Sequence, residues 1–290
     1  MAIRPVGSWR DWLVLMRVDK PVGYYLLLWP TLWGLLAASH GQPTWLNIWV
    51  FVVGVVLMRS AGCVINDVAD RKFDPHVERT KQRPIAAGRM TAKAALMGFF
   101  LMLVIAFVLV FQTSLLVIEL AFIGVILASF YPFMKRYTHF PQAWLGMAFG
   151  WGAVMAWAAE TGAILDSPVP WLLFAANICW SLSYDTAYAL GDRSDDLKIG
   201  VKSTAIWFGE KSIVMIIVLG AMVMLLLALV AWQYGRAVQV AWLMAAIYQF
   251  YLCWMLWRKG ESWGFDFFLK SHRVGLLFCI GFLFEAFIAP

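Results

Sequence analysis

Nine apolar runs, each long enough to cross a lipid bilayer, constrain this 290-residue chain more than any other feature. They occupy 22–39, 45–65, 92–111, 114–134, 142–159, 169–190, 212–233, 238–257 and 273–289. About 20 apolar residues in a helix span a hydrocarbon core ~30 Å thick. Inside that core the backbone must satisfy its own hydrogen bonds, so runs of this length fold as helices. Composition agrees. Only 14% of the residues are charged and 62% are hydrophobic, whereas a water-soluble domain carries roughly 25% charged residues. Trp29, Trp45, Tyr131, Trp171, Trp232 and Trp257 mark the ends of several runs, as side chains with an apolar body and a polar tip do at a membrane interface. The expectation is an all-α, multi-pass membrane protein with nine transmembrane helices, forming one domain over residues 1–290.

Basic residues then orient the chain. Arg4, Arg10, Arg17 and Lys20 precede the first run. Seven Lys and Arg from Arg71 to Lys93 follow the second, and Lys135 and Arg136 follow the fourth. Arg193, Lys198, Lys202 and Lys211 follow the sixth; Arg258, Lys259, Lys270 and Arg273 follow the eighth. The opposite loops hold only Arg236. Positive charge gathers on the cytoplasmic side, so the N-terminus is expected inside and the C-terminus outside, which requires an odd number of spans. No small-residue cleavage site follows the first run, and the N-terminus reads as a cytoplasmic cap. The net charge of +6 is this same bias, facing anionic lipid, and nucleic acid is not an expected partner. Cys63, Cys179, Cys253 and Cys279 all lie inside apolar runs without CxxC spacing, which points to buried thiols rather than a zinc or disulfide framework.

Acidic residues supply the functional signal. Of eleven Asp, seven lie in the stretches that close or follow the second and sixth runs. The first stretch carries Asn66, Asp67, Asp70 and Asp74. The second carries Asp185, Tyr188, Asp192, Asp195 and Asp196. Residues three or four apart share a helix face, so each stretch stacks carboxylates that repel one another. Hard divalent cations relieve that repulsion, and Mg²⁺ in particular joins a few carboxylates to phosphate oxygens. No His or Cys pattern suggests zinc. The expected metal set is Asn66, Asp67, Asp70, Asp74, Asp192 and Asp196, with Asp195 added to the carboxylates in the catalytic set. Arg71, Arg79, Arg83, Lys198 and Lys202, interleaved with the acids, suit the remaining phosphate charge. The plainer alternative is a solvated helix end paired with its own bases. For one cluster that alternative is the better one; two clusters at the same face weaken it. A GxxxxGK[ST] phosphate loop is absent, which argues against a nucleotide hydrolase.

Arg59 lies seven residues before Asn66, on the same face and about 10 Å deeper, and an ionisable group inside a span is a functional candidate. The alternative is an Arg that snorkels to the interface. Tyr131, Lys135 and Arg136 end the fourth run, either as an interface anchor or as an anion clamp. Glu119, Glu285 and the four His are assigned no chemistry.

These stretches resemble the UbiA superfamily of intramembrane prenyltransferases, in the branch whose acceptor is 4-hydroxybenzoate. Arg17-Val18-Asp19-Lys20-Pro21 opens the first span. Gly62-Cys63-Val64-Ile65-Asn66-Asp67 continues through Asp70, Arg71 and Asp74 to Arg79-Thr80 and Arg83-Pro84. The segment from Tyr131 to His139 resembles the family's YxxxK loop, and Asp185 through Lys202-Ser203-Thr204 resembles its second Asp-rich motif. The resemblance implies nine helices around a central cavity open sideways to lipid, Mg²⁺ as cofactor, and Asp-rich loops facing the cytoplasm of a bacterial inner membrane. It implies a polyprenyl diphosphate donor and 4-hydroxybenzoate as acceptor, in a step of ubiquinone biosynthesis. An allylic cation formed there needs a dry site and aromatic faces to steady it. A basic side chain should hold the acceptor carboxylate, and Arg136 is expected in that role ahead of Arg59. Related enzymes acting on haem, a naphthoate or homogentisate remain alternatives. A secondary transporter is another, although its binding groups belong near the bilayer midplane and these acids gather at one face.

Overall fold

The computed structural model describes residues 6–76 and 80–288. Arg79, expected at the phosphate, and Arg4 lie outside the described residues. The described chain is helical, with α1 (Trp9–Leu15), α2 (Val22–Ala38), α3 (Trp45–Ala69), α4 (Ala92–Val110), α5 (Leu115–Tyr137) and α6 (Pro141–Thr161) in the first half. The second half holds α7 (Val169–Ile199), α8 (Thr204–Phe208), α9 (Ser212–Ala231), α10 (Arg236–Lys259) and α11 (Gly264–Ile288).

A helix lies over each of the nine predicted segments, but only six stretches are both long and apolar enough to cross a membrane. These are Trp45–Ala69, Ala92–Val110, Leu115–Tyr137, Thr204–Ala231, Arg236–Lys259 and Glu261–Ile288, and Val22–Ala38 is apolar but shorter. Helix α7 falls below that mark with four polar residues turned inward, and α6 with three glycines and a buried Gln142 among its apolar residues. Gln142, Asn177, Ser181, Ser183 and Thr186 are all buried against protein. A helix enclosed by other helices needs no continuous apolar surface, and its polar groups bond across the interface. Asn177 does so, its amide donating to the Gly146 carbonyl at 2.9 Å. The large exposed side chains of α4 and α5, such as Phe100, Leu101, Phe122 and Ile126, form the kind of surface that faces lipid.

Local chemistry sets the ends. Ser8 and Asp11 form a reciprocal capping box at α1, and the hydroxyls of Thr91 and Ser114 accept from the first turns of α4 and α5, meeting donors that have no partner inside the helix. Gly162 and Gly200 end α6 and α7 at φ 75° and 71°, a left-handed conformation that glycine adopts without strain.

Packing folds the last helix back on the first long one. Helix α11 rests on α2, α7 and α10, while α2 also meets α3 and α6. Trp33 on α2 donates to the Gly275 carbonyl on α11 at 3.0 Å, and Tyr234 donates to the Ala37 carbonyl at 3.0 Å. Small residues allow the closest approaches: a Cβ at Gly146 would lie 2.7 Å from the Ile178 Cα. The interior between α2, α7 and α11 is aromatic, with Trp33, Trp180, Tyr184, Phe278 and Phe282 buried together.

Candidate active site

The first acidic stretch straddles the end of α3. The helix stops at Ala69, yet the Asp74 N–H still bonds the Asp70 carbonyl at 2.9 Å, so the turn continues and keeps both carboxylates on the protein side. Asp67, Asp70 and Asp74 are all buried, at 0%, 4% and 6% exposure. Buried carboxylates need partners, and four bases from three segments supply them. Arg17 Nη2 donates to both Asp67 oxygens, at 2.7 and 3.0 Å. Arg83 Nη1 bridges Asp67 Oδ1 and Asp74 Oδ2, each at 3.0 Å. Lys135 Nζ donates to Asp70 Oδ2 at 2.5 Å, and Arg136 Nη2 stands 3.8 Å from Asp70 Oδ1. Burial opposes the Arg83 charge, but Asp67 and Asp74 outweigh it and hold the guanidinium above its ordinary pKa.

Asp70 Oδ1 is buried and has no hydrogen-bond partner. An oxygen left in that state costs free energy unless something positive meets it. Asn66 lies one turn before it, half-buried on the same helix.

The second stretch is helical throughout, because α7 runs to Ile199 rather than ending near 190. Asp185, Asp192 and Asp196 are half-buried along it. Tyr188 packs on Phe268, with ring centres 4.9 Å apart. Tyr131, at the end of α5, lies within electrostatic reach of both Asp70 and Asp185, so it links the two stretches. The chain after α7 is tied to the same place: the Lys202 N–H donates to the Lys135 carbonyl at 3.0 Å, and Lys202 Nζ donates to the Tyr137 carbonyl at 3.2 Å.

Some expected members stand apart. Asp195 is exposed and pairs with Lys198 at 2.9 Å, with both side chains mostly in solvent; such a pair contributes little and does not join the buried carboxylates. Arg71 is exposed and turns back to the Val68 carbonyl at 2.8 Å. Among the described residues, no three Asp, Glu, His or Cys converge to hold one cation unaided.

Arg59 is the deep member of the site. Its Nε is buried without a hydrogen-bond partner, and its guanidinium lies over the Phe149 ring at 5.8 Å. Tyr24, Tyr131 and Tyr184 are its electrostatic neighbours, so it faces the junction of α2, α3, α5, α6 and α7. Gly23 makes the room, since a Cβ there would overlap the guanidinium. Arg136, by contrast, is engaged at the rim: it donates to the Ala69 carbonyl at 3.2 Å and lies over the Phe73 and Phe133 rings at 5.4 and 5.6 Å. Sequence reasoning did not find Gly23, Phe149 or the buried, unpartnered indole nitrogens of Trp29 and Trp180. Periodicity gives no sign of them, because their importance comes from helices distant in the chain.

A helical, membrane-embedded protein with buried acids and bases interleaved at one end of the bundle is thus defined. The UbiA prenyltransferase family model matches residues 27–273, and the chain belongs to that family. It is similar to a 4-hydroxybenzoate octaprenyltransferase of Vibrio vulnificus, 49% identical over 94% of this chain and 96% of the relative. A protein of the same name from Tolumonas auensis is 47% identical over 98% of this chain and 99% of its own length. Among solved structures, a UbiA homologue from Aeropyrum pernix superposes with a TM-score of 0.78 at 22% identity, covering 89% of this chain and 98% of that one. One from Archaeoglobus fulgidus, bound to GPP and Mg²⁺, has a TM-score of 0.74 at 17% identity, covering 95% and 99%. The fold is the same in each.

Proposed function

We propose that the protein is a 4-hydroxybenzoate polyprenyltransferase, which moves a polyprenyl chain from its diphosphate to the ring carbon ortho to the acceptor hydroxyl. The observation that carries this reading is the pairing of a buried carboxylate and guanidinium cluster with a deeper Arg59 whose Nε is buried without a hydrogen-bond partner. Relatives that share nearly half of its residues over almost its whole length are named 4-hydroxybenzoate octaprenyltransferase. Mg²⁺ fits the donor set: all of its expected ligands are hard oxygens, and Asp70 Oδ1 is a buried acceptor without a donor. Asp70, Asp74 and Asn66 would hold one ion and Asp192 and Asp196 another, and bound there the metal would neutralise the diphosphate as it leaves. In an archaeal relative of the same fold GPP and Mg²⁺ are bound together.

The chain's own side chains do the rest. Arg83 and Lys135 grip phosphate oxygens. The allylic C–O bond breaks and diphosphate keeps the electron pair. The aromatic interior around Trp180 and Tyr184 steadies the cation and keeps water from it. The phenol ring carbon forms the new C–C bond and then releases its proton. Arg59 holds the acceptor carboxylate, a role its buried and unpartnered Nε fits better than the engaged rim residue Arg136. The same reading makes residues 1–290 one domain, takes all nine segments as spans with the N-terminus and Asp-rich stretches in the cytoplasm of a bacterial inner membrane, and draws the donor's tail from surrounding lipid. Incubating membranes with a panel of prenyl diphosphates and aromatic acids, followed by mass spectrometry of the lipids, tests it. Product from 4-hydroxybenzoate supports the proposal; product only from a naphthoate or homogentisate would reassign the acceptor.

A further inference from the structure

Asp67 differs from the two acids that follow it. It is fully buried, and both of its oxygens are occupied by guanidinium groups. Oδ1 accepts from Arg17 at 2.7 Å and Arg83 at 3.0 Å, and Oδ2 accepts from Arg17 at 3.0 Å. A carboxylate offers about four lone-pair sites, so three contacts nearly exhaust this one. Asp70, only one turn away, keeps a buried oxygen with no hydrogen bond at all. One acid is closed by protein; the other is open.

The groups that close Asp67 are themselves constrained. Arg17 holds a left-handed backbone at φ 62°, an uncommon conformation for a residue with a Cβ. Such strain persists only where surrounding contacts enforce it. Arg17 Nη1 also donates to the Val14 carbonyl at 2.8 Å, so its guanidinium fastens the end of α1 to α3 through Asp67. Arg83 meets both carboxylates with the single nitrogen Nη1. Its Nε–Nη2 edge, the kind that grips phosphate with two parallel bonds, stays out of that ion pairing.

We infer that Asp67 is not a metal ligand but a positioning residue: held by Arg17 on one side, it orients Arg83 toward the donor's diphosphate. This revises its place in the metal set drawn from the sequence, and it rests on the prenyltransferase reading. Asp67 acts on donor binding through Arg83, whereas Asp70 and Asp74 act on the metal.

Purified wild type, Asp67→Asn, Asp70→Asn, Arg83→Gln and the Asp67→Asn/Arg83→Gln double variant separate the two roles. Three quantities are needed: the donor KM, the acceptor KM, and Mn²⁺ affinity by electron paramagnetic resonance with inorganic pyrophosphate present. Asp67→Asn should raise the donor KM by about thirtyfold or more, as loss of a buried charge partner does, with acceptor KM and Mn²⁺ affinity unchanged. Asp70→Asn should weaken Mn²⁺ instead. The double variant should be no worse for the donor than Arg83→Gln alone, because the two residues act as one unit. Weakened Mn²⁺ binding in Asp67→Asn, or additive losses in the double variant, would overturn the inference. So would a lowered melting temperature with an unchanged donor KM, the mark of a purely structural role. A wild type without prenyl transfer would sink the functional reading instead, and the Mn²⁺ arm would still decide between ligand and positioning residue.

Discussion

A carboxylate buried beside a lysine, with its second oxygen unbonded, has few uses other than meeting a cation. That is the situation of Asp70, and it makes Asp70→Ala the sharpest single substitution at the metal. Asp70→Ala and Asp192→Ala are each expected to abolish turnover while the protein still inserts, since loss of a metal's charge stabilisation costs several kcal/mol. Product formation at matched expression measures it, and near-normal activity in either variant contradicts the two-stretch site. At the acceptor, Arg59→Ala should raise the KM for 4-hydroxybenzoate far more than the donor KM, by about 2–5 kcal/mol of lost pairing. Arg59→Lys should rescue only part, because an ammonium cannot form two parallel bonds to a carboxylate. Kinetics with both substrates varied decide this. A larger effect in Arg136→Ala would return the carboxylate to the rim. Both arginines are visible in the sequence as basic residues near acids. What distinguishes them is not: Arg136 is occupied by the Ala69 carbonyl and two Phe rings, and Arg59 sits where Gly23 leaves space.

Among the elements, the helices were the most legible part of the chain, because a run of apolar residues in lipid has only one way to satisfy its backbone. Their ends were less so. The sequence pattern stops the sixth and starts the ninth segment at hydropathy boundaries, whereas α7 continues to Ile199 and α11 begins at Gly264. Helix propagation does not need apolar side chains, and Asp192, Asp195 and Asp196 occupy this polar extension. The close contacts of α6 were also hidden, since they depend on which glycine meets which neighbour. Gly146→Val tests them. Its Cβ would lie 2.7 Å from the Ile178 Cα, and overpacking of this sort costs about 1–3 kcal/mol. A lowered melting temperature in detergent is expected. An unchanged one would mean that α6 and α7 part more easily than their packing indicates.

For the molecule as a whole, the proposed orientation rests on charge asymmetry. Single cysteines placed at Lys72 and Gln233 in a background lacking the four native cysteines report it, with a maleimide that cannot cross membranes. Gln233→Cys should label in intact cells and Lys72→Cys only after permeabilisation; labelling of both from one side would contradict the nine-span reading. Six stretches qualify as spans on apolarity and length, and the shortfall falls on α2, α6 and α7, two of which turn polar side chains inward. Polar side chains that α7 turns toward its neighbours thus lower the hydropathy of a helix enclosed by the bundle.

The central claim is metal-dependent carbon–carbon bond formation ortho to the acceptor hydroxyl. It is tested most directly by stripping the purified enzyme with EDTA, supplying a polyprenyl diphosphate and 4-hydroxybenzoate, and adding back Mg²⁺, Mn²⁺ or Ca²⁺. The account predicts no product without metal, product with Mg²⁺ or Mn²⁺, and none with Ca²⁺, whose longer bonds and larger ligand number suit this site poorly. The ring-proton pattern of the product should show substitution beside the hydroxyl. Full activity in EDTA, or a product joined through oxygen rather than ring carbon, would contradict it.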